Sequence, residues 1–219
     1  MQLNADLSQR AVVYAPDLPW VDSPLPGVQR RLLERDGGEV ARATSIVRYA
    51  PGSHFDPHVH ELGEEFLVLE GVFSDESGDF GAGMYVRNPP GSRHRPHSEP
   101  GCVIFVKLRQ FDPKDDQVVR VDTRRGTWQA AAPDGLALMP LFERGSERVL
   151  LQRLAPGTRL PPHSHPGGEE IYVLDGELAD EHGRYPAGTW LRQPAGSAHA
   201  PYSTRGCTVY VKTGHLSLG

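Results

Sequence analysis

The 219-residue sequence predicts an all-β chain made of two copies of one small antiparallel sandwich or barrel. Three observations carry that expectation. The chain contains a repeat that realigns without a gap, its β-rich runs are short and set between Gly and Pro, and no window shows a convincing amphipathic helical period with caps at both ends.

The repeat comes first. Pro51 to Lys107 realigns with Pro156 to Lys212 at a constant offset, with roughly half the positions identical. The matches are selective and include Gly52/Gly157, Gly63/Gly168, Gly71/Gly176, Asp75-Glu76/Asp180-Glu181, Gly83/Gly188, Pro89/Pro194, Gly91/Gly196 and Gly101-Cys102/Gly206-Cys207. A weaker correspondence continues upstream, pairing Trp20 with Trp128 and Gly27 with Gly135. Asp112-Pro-Lys-Asp-Asp lies in the polar stretch Phe111 to Gln117 and reads as a linker, so the expected domains are 1–112 and 113–219. Within each copy, runs such as Phe66-Leu-Val-Leu, Val103-Ile-Phe-Val and Ile171-Tyr-Val-Leu are bounded by turn residues, as 24 Gly and 20 Pro in the chain allow. Val28 to Arg35 could pass for a helix, but Gly27 and Gly37-Gly38 keep it brief.

In PGSHFDPHVHELGEE, His58 and His60 are two apart, so on a strand both imidazoles point to one face. Glu-Leu-Gly makes a turn, after which a carboxylate on the returning strand can add an oxygen donor. The Pro-Pro-Gly-Ser turn delivers His94 from another part of the sheet. The second copy repeats this with His163, His165, Glu169 and His199. A lone histidine on a strand is usually a packing or surface residue. Recurrence of the same four residue types at identical spacing argues instead for a metal site. Three imidazoles and a carboxylate suit Fe(II), Mn, Ni, Cu or Zn without choosing among them. Because Glu65 and Glu170 repeat too, spacing leaves open which glutamate of each pair is the donor.

Each half fits two motifs, G-x5-H-x-H-x3-E-x6-G (Gly52 to Gly71, Gly157 to Gly176) and G-x5-P-x-G-x2-H (Gly83 to His94, Gly188 to His199). These are cupin signatures, and the runs LVLEGVFSDESGDFGAGMYVRNPPGSRHRP and YVLDGELADEHGRYPAGTWLRQPAGSAHAP resemble the ChrR-type cupin-like domain of anti-sigma factors and free-standing bicupins. The resemblance implies two tandem cupin barrels, of the double-stranded β-helix or jelly-roll kind. It also implies one divalent transition metal (Zn, Fe, Mn or Ni) per barrel, held by His58, His60, Glu64 and His94 and by His163, His165, Glu169 and His199. Ser98 and Ser203 stand near a place where cupins usually carry Asn; this departure removes no ligand. The N-terminal helical zinc domain of ChrR-type anti-sigma factors is not expected in residues 1–50, which read as strands, and no Cys precedes Cys102.

Other residues carry weaker signals. Parity puts His54 on the face of His58 and His60, where the second copy has Arg159. A role for His54 in proton transfer or anion binding competes with simple solvent contact at the barrel mouth. His97, beside His94, has Tyr202 as its counterpart. Phe66 and Ile171 share the parity of Glu64 and Glu169 and would give each cavity an apolar wall. Arg87 and Arg192 suit either a substrate carboxylate or an ion pair with Glu65 or Glu170. Cys102 and Cys207 sit in apolar runs and read as buried and inert, and Asp75-Glu76-x-Gly78 and its copy read as exposed hairpin turns.

The net charge of −5 offers no basic stripe for nucleic acid, and no apolar run is long enough for a membrane span or a leader, which makes the cytoplasm the default location. Two cysteines make no disulfide scaffold. The expected partner is a small-molecule ligand or substrate, and cupin sheet faces also allow a homodimer. A four-donor site leaves a position for substrate, so a metalloenzyme, dioxygenase-like or of other metal-assisted type, is the leading expectation. A non-catalytic sensor of metal or ligand is the second, and a metal-stabilised structural domain the third.

Overall fold

The computed structural model describes residues 1–216, which form strands, turns and one 3-10 turn at Ala15–Asp17, with no α-helix among them. No helix among the described residues is long and apolar enough to cross a membrane. The fold is all-β, and the chain forms two compact units.

The first unit comprises Met1–Ala5 and Leu18–Gly126. Its sheet runs Gln2–Leu3, Val28–Gly37, Ala41–Tyr49, Cys102–Leu108, Glu64–Asp75, Met84–Asn88 and Val119–Asp122, antiparallel throughout. The second comprises Asp6–Asp17 and Thr127–Gly219. Its sheet runs Gln129–Ala131, Leu136–Arg144, Glu147–Leu154, Cys207–Thr213, Glu169–Asp180, Thr189–Gln193 and Ala11–Tyr14. The expected division at 112/113 is therefore crossed at both ends. Val119–Asp122 closes the edge of the first sheet, and Ala11–Tyr14 closes the edge of the second. The segment read as a linker is partly docked: Phe111 and Asp115 are buried, and Asp115 Oδ2 accepts from Arg87 Nη2 at 2.6 Å.

Alternation decides what each strand buries. From Glu64–Asp75, Phe66, Val68 and Phe73 enter a core with Val28, Val47, Phe80, Val86, Cys102, Ile104 and Val106. Ile171, Val173, Leu178, Leu191, Val209 and Val211 do the same in the second unit. Val28–Gly37 is a ten-residue strand, with no helical turn. The long strands Glu64–Asp75 and Glu169–Asp180 bend at Gly71 and Gly176, where φ is +70° and +73°. A Cβ there would lie 2.0 Å from the Gly101 carbonyl oxygen and 2.1 Å from that of Gly206, so glycine is required on both counts.

Candidate metal centres

In each unit two short strands stand apart from the main sheet and carry the histidines. His58–His60 pairs with Ser92–His94, setting His58 opposite His94 and His60 opposite Ser92. His163–His165 pairs in the same way with Ser197–His199. The period of two then aims both histidines of one strand at the third on its neighbour. One ring nitrogen from each of His58, His60 and His94 lies within 4.8 Å of the other two, and the same holds for His163, His165 and His199.

Each first glutamate faces this cluster. Glu64 Oε2 is 3.4 Å from His60 Nε2 and 3.7 Å from His94 Nε2; Glu169 Oε2 is 3.4 Å from His165 Nε2 and 3.3 Å from His199 Nε2. The second glutamates are engaged elsewhere. Glu65 accepts from Arg87 at 2.9 Å and Tyr85 at 2.7 Å, and Glu170 from His215 at 2.8 Å. Arg87 thus has the ion pair with Glu65 that the sequence allowed, and Arg192 donates to the carbonyls of Asp6 and Gln9.

The outer ring nitrogens fix the tautomers. His58 Nδ1 lies 3.2 Å from the Asp56 carbonyl oxygen and His163 Nδ1 lies 2.9 Å from that of Pro161. A carbonyl can only accept, so Nδ1 carries the proton and Nε2 presents a lone pair. His94 and His199 make the equivalent bond to a carboxylate, Asp75 Oδ2 at 3.1 Å and Asp180 Oδ2 at 3.5 Å. Sequence reading had these aspartates in exposed turns. Instead both are buried, each also holding its turn by accepting from the backbone N–H of Ser77 or His182. Their identical recurrence in the two copies was the signal that could have set them apart.

Electrostatics follow from this wiring. Burial lowers the His60 pKa, with His94 and His58 adding to the effect against Glu64. Burial, His199 and His163 push His165 down to about 4. Burial also pushes the carboxyl of Glu169 up to about 7, against the pull of His199. Burial would lower His94 and His199 as well, but hydrogen bonds to Asp75 and Asp180 and the nearby carboxylates outweigh it and raise both. Burial would raise Asp75 and Asp180, yet the hydrogen bonds that they accept hold both down at about 2.

The donor set fits a cation. Bonds of about 2.0–2.2 Å from one ion to N and O donors place those donors about 3.0–3.4 Å apart. The second-barrel contacts, 3.3 and 3.4 Å, fall in that interval, while in the first barrel His60–His94 at 2.9 Å and Glu64–His94 at 3.7 Å lie on either side of it. In the second barrel His165 Nε2, His199 Nε2 and Glu169 Oε2 are buried and none makes a hydrogen bond. Buried polar atoms in that state need a partner, and a cation supplies one.

The remaining candidates lie outside the cluster. His54 is exposed, stacked on His97 at 5.5 Å and 3.0 Å from Glu99. In the second unit Arg159 covers the Tyr202 ring at 4.3 Å in the same place. Phe66 and Ile171 are buried in the two cores. Cys102 and Cys207 are buried free thiols whose pKa burial raises, that of Cys102 to about 11. Ser98 and Ser203 donate to the carbonyls of Val72 and Glu177. Sequence reading missed the amides beside the glutamates. Asn88 donates to Glu64 at 3.1 Å and accepts from Arg120 at 2.7 Å, while Gln193 accepts from Arg10 at 3.1 Å.

Residues 8–112 and again 116–217 match the ChrR cupin-like domain. The chain belongs to the ChrR cupin-like family. Among curated proteins none matches the sequence. Several solved cupins share the bicupin architecture. A protein of Nostoc punctiforme PCC 73102, provisionally described as a dioxygenase, superposes with TM-score 0.78 at 16% identity over 97% of this chain and 85% of its own. YlbA of E. coli gives 0.73 at 16% over 95% and 92%. A variant of Bacillus subtilis oxalate decarboxylase gives 0.65 at 14% over 95% and 78%. At these identities the likeness is one of fold, and the two three-histidine groups of this ChrR-like cupin are compatible with a divalent metal in each barrel.

Proposed function

We propose that this bicupin is a metal-dependent enzyme acting on a small molecule, with His58, His60, Glu64 and His94 holding one divalent ion and His163, His165, Glu169 and His199 a second. The observation that carries the reading is the cluster of three histidine side chains in each unit, with a glutamate oxygen within 3.3–3.7 Å of two of them. In the first unit that cluster borders a cavity of about 400 Å³, lined by His58, His60 and Glu64 among others. An ion held there would polarise an oxygen of a bound molecule and stabilise negative charge developing on it. The protein's part is to keep two of the three imidazoles in each unit in the correct tautomer, through the Asp56 carbonyl and Asp75 and their counterparts Pro161 and Asp180, and to place apolar walls beside the site.

The reaction class we assign is dioxygenase-like oxidation of a small carbonyl or enol compound, supported by the fold shared with the Nostoc protein. Metal analysis of protein purified from its native host tests it. Iron, together with oxygen uptake on adding enol substrates, supports the assignment; zinc with no uptake overturns it. A second reading, a non-catalytic sensor of metal or ligand, is favoured by membership of the ChrR cupin-like family. It requires that bound ligand be recovered chemically unchanged.

A further inference from the structure

The two barrels repeat their proposed metal ligands but not what surrounds them. In the first unit the cavity beside His58, His60 and Glu64 is also lined by Arg30, Tyr49 and Phe55. Register gives the equivalents in the second unit. Tyr49 lies opposite Val28 and Cys102, as Leu154 lies opposite Leu136 and Cys207. Arg30 lies opposite Val47, as Leu138 lies opposite Gln152. The backbone N–H of Phe55 donates to Pro96, as that of Leu160 donates to Pro201. All three replacements are leucines, and they pack into or against the second core, with Leu154 only 1% exposed. Aliphatic side chains, Leu154 buried and Leu138 and Leu160 half-buried, thus replace the polar and aromatic groups that line the cavity in the first unit.

Tyr49 offers that cavity a hydroxyl which the fold does not use. Its ring is fixed edge-on between Phe55 at 5.3 Å and Phe73 at 5.7 Å, and its hydroxyl makes no hydrogen bond among the described residues. Burial and the nearby charge of Glu64 raise its pKa, so the phenol keeps its proton and meets a ligand as a donor. The charges of the arginines lining the cavity have carboxylate partners, Arg30 Nη1 with Glu39 at 3.3 Å and Arg109 with Glu61 at 2.8 Å, although the buried Nε of Arg30 makes no hydrogen bond. A divalent ion with Glu64 as its one carboxylate leaves a single positive charge, which a monoanion would neutralise. The aromatic walls suit a flat, apolar body.

We propose that the N-terminal barrel alone takes a ligand, a small planar monoanion of the enolate or phenolate class, and that the Tyr49 hydroxyl donates a hydrogen bond to its anionic oxygen. The inference rests on the metal reading above and adds the ligand class and the division between barrels. The test is a visible-absorption titration of the metal-reconstituted chain with 4-nitrocatechol, alongside metal content and melting temperature, for the wild type and Tyr49→Phe. We expect one equivalent of probe per chain and an affinity loss of about tenfold or more in Y49F, the scale of a hydrogen bond to a charged group, with metal content unchanged. Two equivalents per chain, no binding by the metal-loaded wild type, or equal affinity in Y49F would overturn the inference and leave the metal reading standing. Loss of metal in Y49F would also overturn it, because the hydroxyl would then be serving the metal site. A wild-type chain that takes up no metal would overturn the metal reading itself, and this inference with it.

Discussion

Asp75 and Asp180 each set the proton on the outer nitrogen of a buried histidine, and that single hydrogen bond decides which nitrogen faces the site. Replacing Asp180 by Asn removes the charge that favours Nδ1–H on His199. Metal affinity at the second site is expected to fall about 10–100-fold, measured by competition with a chromophoric chelator, with the far-ultraviolet spectrum unchanged. Glu169 and His199 give this site a pH dependence. Glu169 is pushed up to about 7, so at pH 6 an incoming cation must displace a carboxyl proton that at pH 8 has already left, and the raised pKa of His199 adds to the competition. Affinity at this site therefore weakens as pH falls from about 8 to 6, and calorimetry in buffers of different ionisation enthalpy is expected to show proton release that grows toward the lower pH. At this scale the histidines were legible, because two His at i and i+2 can share a face only on a strand and the repeat supplied the pattern twice. Asp75 was not, because an Asp-Glu-x-Gly stretch looks the same whether its carboxylate faces water or a histidine. Glu64 and Glu65 were told apart only by resemblance. The geometry that separates them is the ladder, which sends Glu65 to Arg87 and Glu64 to the histidines.

The elements that hold the site are two bent strands. Glu64–Asp75 presents Glu64 at one end and Asp75 at the other of a twelve-residue strand, and the bend at Gly71 lets both ends reach His94. Gly71→Ala places a Cβ 2.0 Å from a carbonyl oxygen in a left-handed backbone conformation. Destabilisation of about 2 kcal/mol or more is expected, read as a lowered denaturation midpoint with a slope close to that of the wild type. Strand content was readable from alternation and from Gly and Pro spacing. The length of Val28–Gly37 was not, because the propensity of Gln29, Arg30, Arg31, Leu32 and Leu33 favours a helix locally. Antiparallel pairing with Ala41–Tyr49 overrides that preference.

The architecture of the whole chain was the most legible feature, since a gap-free repeat of a β-rich segment has few other readings. Its edges were not. Ala11–Tyr14 and Val119–Asp122 lie outside the repeat, and nothing in their composition says which sheet they close. In the second unit this segment also brings Arg10 to Tyr185 and Gln193, and gives Arg192 two of its carbonyl acceptors. Deleting residues 1–17 is expected to cost the second unit about 2 kcal/mol or more, with new proteolytic cleavage near Thr189–Gln193 as the readout. The central claim for the whole molecule is that four side chains in each unit converge on one cation. Anomalous diffraction at the metal edge, from crystals grown with a divalent transition metal, tests it most directly. The account expects one peak in each unit at about 2.0–2.2 Å from Nε2 of the three histidines and from an oxygen of Glu64 or Glu169. Featureless maps at both places, with His60 and His94 hydrogen-bonded to each other, would contradict it.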